Sequence, residues 1–278
     1  MLDCLMLDGI LKTALQEDIG TGDITTLSAI PADKMISGRF IAKESGVVCG
    51  ISVSKRVFAL LDPEIQMQVF VKDGETVEKG TVIAEISGRA QAVLTGERVA
   101  LNFLQRLSGI ATRTHTCVEA IAGTKAVIAD TRKTTPGLRV LEKYAVKTGG
   151  GSNHRHNLSD GVLIKDNHIN AAGGIRTAVE AVRKNAPHTL KIEVEVENQA
   201  MIEEALACRT DIIMLDNMTL DAMKAAVDFI GGRALVEASG NMGDKDLRTV
   251  AETGVDIISI GALTHSVRAL DISLRFGA

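Results

Sequence analysis

Three sets of residues in this chain are of types that grip charge or move protons. The first is basic: Arg132 and Lys133 are adjacent, His154 and Arg155 follow a Gly149-Gly150-Gly151 loop, and Lys165 comes soon after. Arginine holds carboxylates and phosphates bidentately, and lysine adds a point charge. Cations about 4 Å apart at an effective dielectric of 20 repel by about 4 kcal/mol, so a cleft that gathers them suits a polyanion. The second set is acidic: Glu193, Glu195 and Glu197 alternate with Ile192, Val194 and Val196, which places the carboxylates on one face of a strand. An edge strand facing water accounts for Glu193 or Glu197 singly. In a parallel core strand the row needs cations, and together with Asp216 it could hold Mg²⁺, a hard ion that takes oxygen ligands and substrate phosphates, or steady positive charge on a sugar. The third set is small and glycine-bearing: Ser239-Gly240-Asn241 and Ser259-Ile260-Gly261, each ahead of an expected helix, where backbone amides bind phosphate.

These sets stand directly after short β-branched runs: Val127–Ala129, Val162–Ile164, Ile192–Val196, Ile212–Leu215, Ala234–Val236 and Ile257–Ile260. Helical patterns at Gly174–Lys184, Gln199–Ala207 and Leu220–Phe229 lie between most of them, and that alternation predicts parallel βαβ units. In such folds chemistry collects at the carboxyl ends of strands. Reading past each run gives Asp130-Thr131-Arg132-Lys133, Lys165-Asp166-Asn167-His168, Glu195, Asp216-Asn217, Glu237-Ala238-Ser239-Gly240 and Gly261. Turn and N-cap preferences explain Asp216-Asn217 and Gly261 unaided. They do not explain two basic groups and an acidic ladder at the same end. Six runs are few for an eight-stranded barrel, so an incomplete barrel and an open doubly wound sheet both fit. The glycine-bearing ends of the last two strands favour the barrel, whose final loops are its usual phosphate site.

The first ninety or so residues read differently. Leu2, Leu5, Met6, Ile10, Ala14 and Leu15 predict an amphipathic helix ending near Gly20. Short β-like runs follow at Arg39–Ala42, Ile65–Val71 and Val82–Ile86, with a helix at Ser54–Leu61 and a hairpin signal at Asp73-Gly74. A stretch within Val71–Gly80 shares turn chemistry with biotinyl or lipoyl carriers but lacks their exposed hairpin lysine. A long helix over Gln91–Ile121 bridges the two regions.

Composition narrows the function classes. Hydrophobic residues make up 45% and charged residues 24%, which is ordinary globular usage. The net charge of −4, a single Tyr and no Trp argue against a nucleic-acid surface. No run approaches the roughly 20 apolar residues of a membrane span, and the N-terminus carries early acids rather than the basic region of a secretory signal. Cys4, Cys49, Cys117 and Cys208 are far apart, so reduced thiols in a cytoplasm are expected in place of disulfides or a zinc site.

Asp130-Thr131-Arg132-Lys133-Thr134-Thr135-Pro136-Gly137, Leu163-Ile164-Lys165-Asp166-Asn167-His168 and Glu237-Ala238-Ser239-Gly240 resemble the quinolinate phosphoribosyltransferases, also called nicotinate-nucleotide pyrophosphorylases. Glu97–Asn102, Leu107–Thr112, His154-Arg155, Glu193–Glu197 and Leu215–Asn217 extend the match in order along most of the chain. The resemblance implies an α/β fold: an N-terminal α+β open-sandwich domain over 1–110 with the bridging helix, and an incomplete, six- to seven-stranded parallel α/β barrel over 111–265. It also implies a tail over 266–278 that packs back on the first domain.

The family's activity is phosphoribosyl transfer from phosphoribosyl pyrophosphate (PRPP) to quinolinate with loss of CO₂, a step of de novo NAD synthesis. The resemblance assigns quinolinate's carboxylates to Arg132, Lys133, His154, Arg155 and Lys165, with Thr131 also among the substrate-binding residues. Arg98 would come from the neighbouring subunit of a homodimer or higher oligomer. The donor's phosphate falls to Ser239, Gly240, Asn241, Ser259, Ile260 and Gly261. Its ribose and a Mg²⁺ on its pyrophosphate fall to Glu195 and Asp216. Lys165, Glu195 and Asp216 are the catalytic candidates, Lys165 for protonating or orienting the ring carbon that loses CO₂, with no nucleic acid or membrane partner. His156 and Asn157 depart from the family's usual residues, as does Asn241, which stands where Gly is frequent. The intact Lys165–His168 block favours this enzyme over a molybdenum-transport-associated relative, and the carboxylates favour it over a non-catalytic anion-binding barrel. A nicotinic-acid phosphoribosyltransferase would need fewer cations.

Overall fold

The computed structural model describes residues 4–277, and the chain divides into two compact units. Unit 1 comprises residues 1–115, 135–150 and 266–278, and unit 2 comprises 116–134 and 151–265.

Unit 1 begins with α1 (Cys4–Ile19) and α2 (Ile24–Ala29), the latter capped by the Asp23 carboxylate, which accepts from Thr26 N–H at 2.9 Å. Leu2, part of the apolar series read from the sequence, lies outside the described residues. The buried stripe of α1 is Leu7, Leu11 and Leu15, whereas Met6 is 57% exposed. That corrects the expected face: two apolar series share this helix, and the partner, α3 (Ile51–Leu61), selects the i, i+4 leucines. Arg56 of α3 clamps Asp8 of α1 through two hydrogen bonds at 2.6 and 2.7 Å.

The strands are β1 (Met35–Ala42), β2 (Gly46–Val47), β3 (Gln66–Val69), β4 (Thr76–Val77) and β5 (Val82–Arg89). An antiparallel sheet has the order β12-β1-β5-β3, its edge strand β12 (Ile272–Phe276) coming from the end of the chain. One face carries Phe40, Ala42, Ala84 and Ile86 into the core, with Phe40 edge-on to Phe58 of α3 at 6.3 Å.

Asp73-Gly74 does not make the expected hairpin, because β3 pairs with β5 and β4 with β2. Asp73 instead caps α3, accepting from Gly50 and Ile51 N–H, and takes the Tyr144 hydroxyl at 2.7 Å. α4 (Ala90–Ala120) is the long helix predicted from the sequence, while α5 (Arg139–Thr148) was not foreseen. Arg106 of α4 binds buried Glu142 of α5 and the Thr135 hydroxyl.

Unit 2 is built on β6 (Val127–Ala129), β7 (Val162–Ile164), β8 (Ile192–Val196), β9 (Ile212–Asp216), β10 (Leu235–Ser239) and β11 (Ile257–Ser259). All are parallel, in the order β6-β11-β10-β9-β8-β7. The helices between them are α6 (Asp166–Ala172), α7 (Ile175–Asn185), α8 (Gln199–Ala207), α9 (Leu220–Ile230) and α10 (Leu247–Glu252), with the short α11 (Ala262–His265) after β11. This is the incomplete barrel expected from the sequence: β6 and β7 do not pair. Residues 151–153 run beside β6 instead, with a parallel bridge between Ala129 and Ser152.

Alternation along the strands sorts the side chains. Val194, Val196, Ile213, Leu215, Val236, Ala238 and Ile258 are buried on one face, the face on which the buried residues of α7 to α10 close the core. The other face lines two cavities inside the barrel. β8 is central, between β7 and β9, so the explanation of its glutamates as an edge facing water fails for Glu193 and Glu195. Glu197, beyond the strand, is exposed.

Candidate active site

Unit 2 contains a cavity of about 640 Å³ at the carboxyl ends of its strands. Thr131, Arg132 and Lys133 reach it from the loop after β6, His154 and Arg155 from the segment beside β6, and Lys165 with His168 from the start of α6. The alternating inward positions supply Glu195 of β8, Met214 and Asp216 of β9, Glu237 and Ser239 of β10, and Ser259 of β11. Gly240, Asn241 and Asn217 complete the rim. Thus the basic set, two of the carboxylates and one glycine-bearing loop meet around one space.

Three placements differ from the sequence-based expectation or lie outside the cavity. Ile260 is buried, and its N–H donates to Ala129 O at 2.9 Å, so that amide is not offered to a phosphate. Gly261 does not line the cavity but sits against it: a Cβ there would lie 3.0 Å from Lys133 Cδ. Arg98 is exposed on α4 in unit 1 and is not among the lining residues. Nor do long helices follow the two glycine-bearing loops. A single turn (Met242–Asp244) follows the first and the four-residue α11 the second, which leaves loop amides as the donors. Gly240 has φ +95°, and a Cβ would lie 2.8 Å from Asn217 N and collide with the Asn217 side chain.

The charges are arranged in contacts. Lys165 Nζ is 2.7 Å from Glu195 Oε2, so the basic and acidic walls meet through this pair. Asp216 Oδ2 accepts from Asn217 Nδ2 at 2.8 Å. Arg155 donates through Nη1 to Gly161 O at 2.9 Å. Burial and then the like charge of Arg132 push the Arg155 guanidinium below its ordinary pKa, while Glu193 and Asp160 oppose them. Like charges gathered this way are stabilised by an incoming anion. Buried Asp130 fixes the basic segment, accepting His154 N–H at 2.9 Å and Asn153 Nδ2 at 2.6 Å.

The floor carries residues that the sequence reading did not assign to a site. Glu193 and Glu237 are only 4% and 1% exposed, and His154 Nε2 lies 3.0 Å from Glu193 and 3.8 Å from Glu237. One ligand atom of each of these three residues lies within 4.8 Å of the others, close enough for a metal. Yet His154 Nδ1 accepts the Arg155 N–H at 2.8 Å. That fixes the neutral ring with its proton on Nε2, where it donates to Glu193 instead of ligating an ion. Burial and then the charge of Glu193 push the Glu237 carboxyl up to about 7. Period-two alternation would have found Glu237, since it shares a face with Ser239. Met214 and Leu158 carry no such signal of type, whereas Asn217 and His168 stand within the motifs at the strand ends.

The chain matches the family model described as quinolinate phosphoribosyl transferase, N-terminal domain, over residues 23–108, and the C-terminal domain model over 110–275. It is 46% identical to a probable nicotinate-nucleotide pyrophosphorylase (carboxylating) of Bacillus subtilis (strain 168), covering 97% of this chain and 93% of that one. It is 43% identical to quinolinate phosphoribosyltransferase (decarboxylating) 1b of Nicotiana tabacum, covering 97% and 82%. The crystal structure of NadC from Streptococcus pyogenes superposes with a TM-score of 0.93 at 44% identity, covering 100% of this chain and 99% of that one. The nicotinate-nucleotide pyrophosphorylase from Francisella tularensis gives 0.95 at 39% identity, covering 100% and 98%.

Proposed function

The chain belongs to the quinolinate phosphoribosyltransferase family, and from that premise we infer how its barrel cavity joins quinolinate to PRPP. The products are nicotinate mononucleotide, pyrophosphate and CO₂, in de novo NAD synthesis. The observation that carries the assignment of residues is the facing of a basic wall (Arg132, Lys133, Arg155, Lys165) and a carboxylate wall (Glu195, Asp216) across one cavity.

In this reading Arg132, Arg155 and Lys165 hold the two carboxylates of quinolinate, which relieves the repulsion among them. His154 shapes that wall: its ring nitrogens are already engaged by Arg155 N–H and Glu193. Ser239, Gly240 and Asn241 hold the 5′-phosphate, the glycine allowing close approach of the ligand to backbone. The pyridine nitrogen attacks the anomeric carbon as pyrophosphate departs. Glu195 and Asp216 stabilise the positive charge that develops on the sugar, as preorganised charge does in such sites. The oxygen donors of Glu195 and Asp216 suit Mg²⁺ bound with the donor's pyrophosphate, where the ion would neutralise the leaving group. Lys165, bridging the two walls through Glu195, orients both. We assign Arg98 to the partner subunit's site in a homodimer working in the cytoplasm. Among the described residues no helix is long and apolar enough to cross a membrane.

The test is to offer quinolinate and nicotinate separately, each with PRPP and Mg²⁺. Nicotinate mononucleotide should form from quinolinate with one CO₂ per pyrophosphate. Preferential use of nicotinate would overturn the assignment of the diacid wall.

A further inference from the structure

Resting on that reaction, we infer that Glu237 is the acid that supplies the proton taken up by the pyridine ring when CO₂ leaves. The chemistry requires one. The bond between C2 and its carboxylate breaks, the electron pair stays on C2 beside the positively charged ring nitrogen, CO₂ departs, and a C–H bond forms. One proton is consumed per turnover inside a cavity otherwise arranged around anions.

The groups around the cavity narrow the source. Arginines do not give up protons. Lys165 is held 2.7 Å from Glu195. His154 directs its Nε2 proton to Glu193, and His168 Nδ1 is occupied by the Lys165 N–H at 3.0 Å. Glu237 lines the cavity floor, and its Oε1, like Glu193 Oε1 beside it, is buried without a hydrogen-bond partner.

Burial and Glu193 keep a proton on Glu237, outweighing His154 and Ser259, which favour the charged form. Glu193 faces it from β8, Ser259 from β11, Met214 from β9, and His154 and Arg155 from the segment beside β6, where Arg132 bears on Arg155. Two carboxylates in one buried layer do not both ionise readily. Of the two, burial beside Glu193 favours the protonated form of Glu237.

A second cavity of about 470 Å³ lies on the other side of this floor, sharing His154, Arg155 and Glu237 with the first and lined also by exposed His156 and Lys191. Glu237 can therefore be recharged from below while substrate fills the space above.

The experiment follows a single turnover of the full-length protein on quinolinate labelled in its C2 carboxylate, measuring pyrophosphate and CO₂ separately. In Glu237→Gln, pyrophosphate release should slow less than about threefold and product formation by about 100-fold, the low end of what a general acid contributes. The wild-type rate should fall as pH rises through about 7, because only the acid form donates. That fall should vanish in Glu237→Gln and move to lower pH in Glu193→Gln, which lacks the charge that holds the proton on. Equal slowing of both steps, no slowing, or a pH dependence unmoved in either variant would overturn the inference. Should Glu237→Gln not fold, the direction of the shift in Glu193→Gln decides. A wild-type protein that makes no nicotinate mononucleotide would instead sink the reading of the reaction itself.

Discussion

Lys165 and Glu195 show how much one contact organises. Their 2.7 Å ion pair joins the basic wall of the cavity to its carboxylate wall, so each side chain is positioned by the other. Glu195→Ala should lower kcat by about 100-fold or more, a scale seen when one preorganised group is removed. Quinolinate affinity should change only a few-fold, as steady-state kinetics with equilibrium binding will test. Equal loss of binding with unchanged turnover would contradict the role of Glu195. The site was legible at this scale where residue type declares charge: Arg132, Lys133, Arg155, Lys165, Glu195 and Asp216 all reach the cavity. It was illegible where backbone geometry decides, as at Ile260, whose amide the sheet consumes. It was also illegible where burial changes the meaning of a residue, as for Glu193, whose sequence pattern equally fits a solvated edge.

Loops and strands place those residues, and their failures should be specific. Gly240 holds φ +95° beside Asn217, and an L-residue there costs roughly 1–2 kcal/mol before any collision. Gly240→Ala should raise the KM for PRPP at least about tenfold while the thermal midpoint falls by only a few degrees. A PRPP affinity equal to wild type would remove this loop from the phosphate site. The edge strand β12 tests a different element. Ile272 and Leu274 are buried, and losing them costs about 1.5–3 kcal/mol each. Deleting 271–278 should therefore lower the thermal midpoint by at least about 5 °C, read by calorimetry. The parallel sheet was readable because its strands are compact β-branched runs, most of them followed by a helical pattern. The register of unit 1 was not. Asp73-Gly74 looks like a hairpin turn locally, but strand partners that are distant in sequence, β2 and β5, overrule it. α5 and α6 are not legible because each opens on motif residues, Arg139 and Asp166–His168, whose polar types obscure the helical period.

At the level of the whole molecule, a chain of net charge −4 gathers basic side chains in one cavity, so any attraction of an anion there is local and should be only mildly sensitive to salt. The assignment of Arg98 to a partner's site is testable by mixing. Arg98→Ala and Lys133→Ala chains, each inactive alone, should recover up to about a quarter of wild-type activity when subunits exchange, because one site in a hybrid dimer then carries both residues intact. No recovery despite demonstrated exchange would return Arg98 to a surface role. The central claim is that the barrel gathers a pyridine diacid beside a phosphorylated sugar donor. The most direct measurement is a crystal structure with quinolinate soaked in. Both carboxylates should lie among Arg132, Arg155 and Lys165, with the ring nitrogen turned toward Glu195 and Asp216. Quinolinate bound elsewhere, with those three side chains turned to solvent, would contradict it.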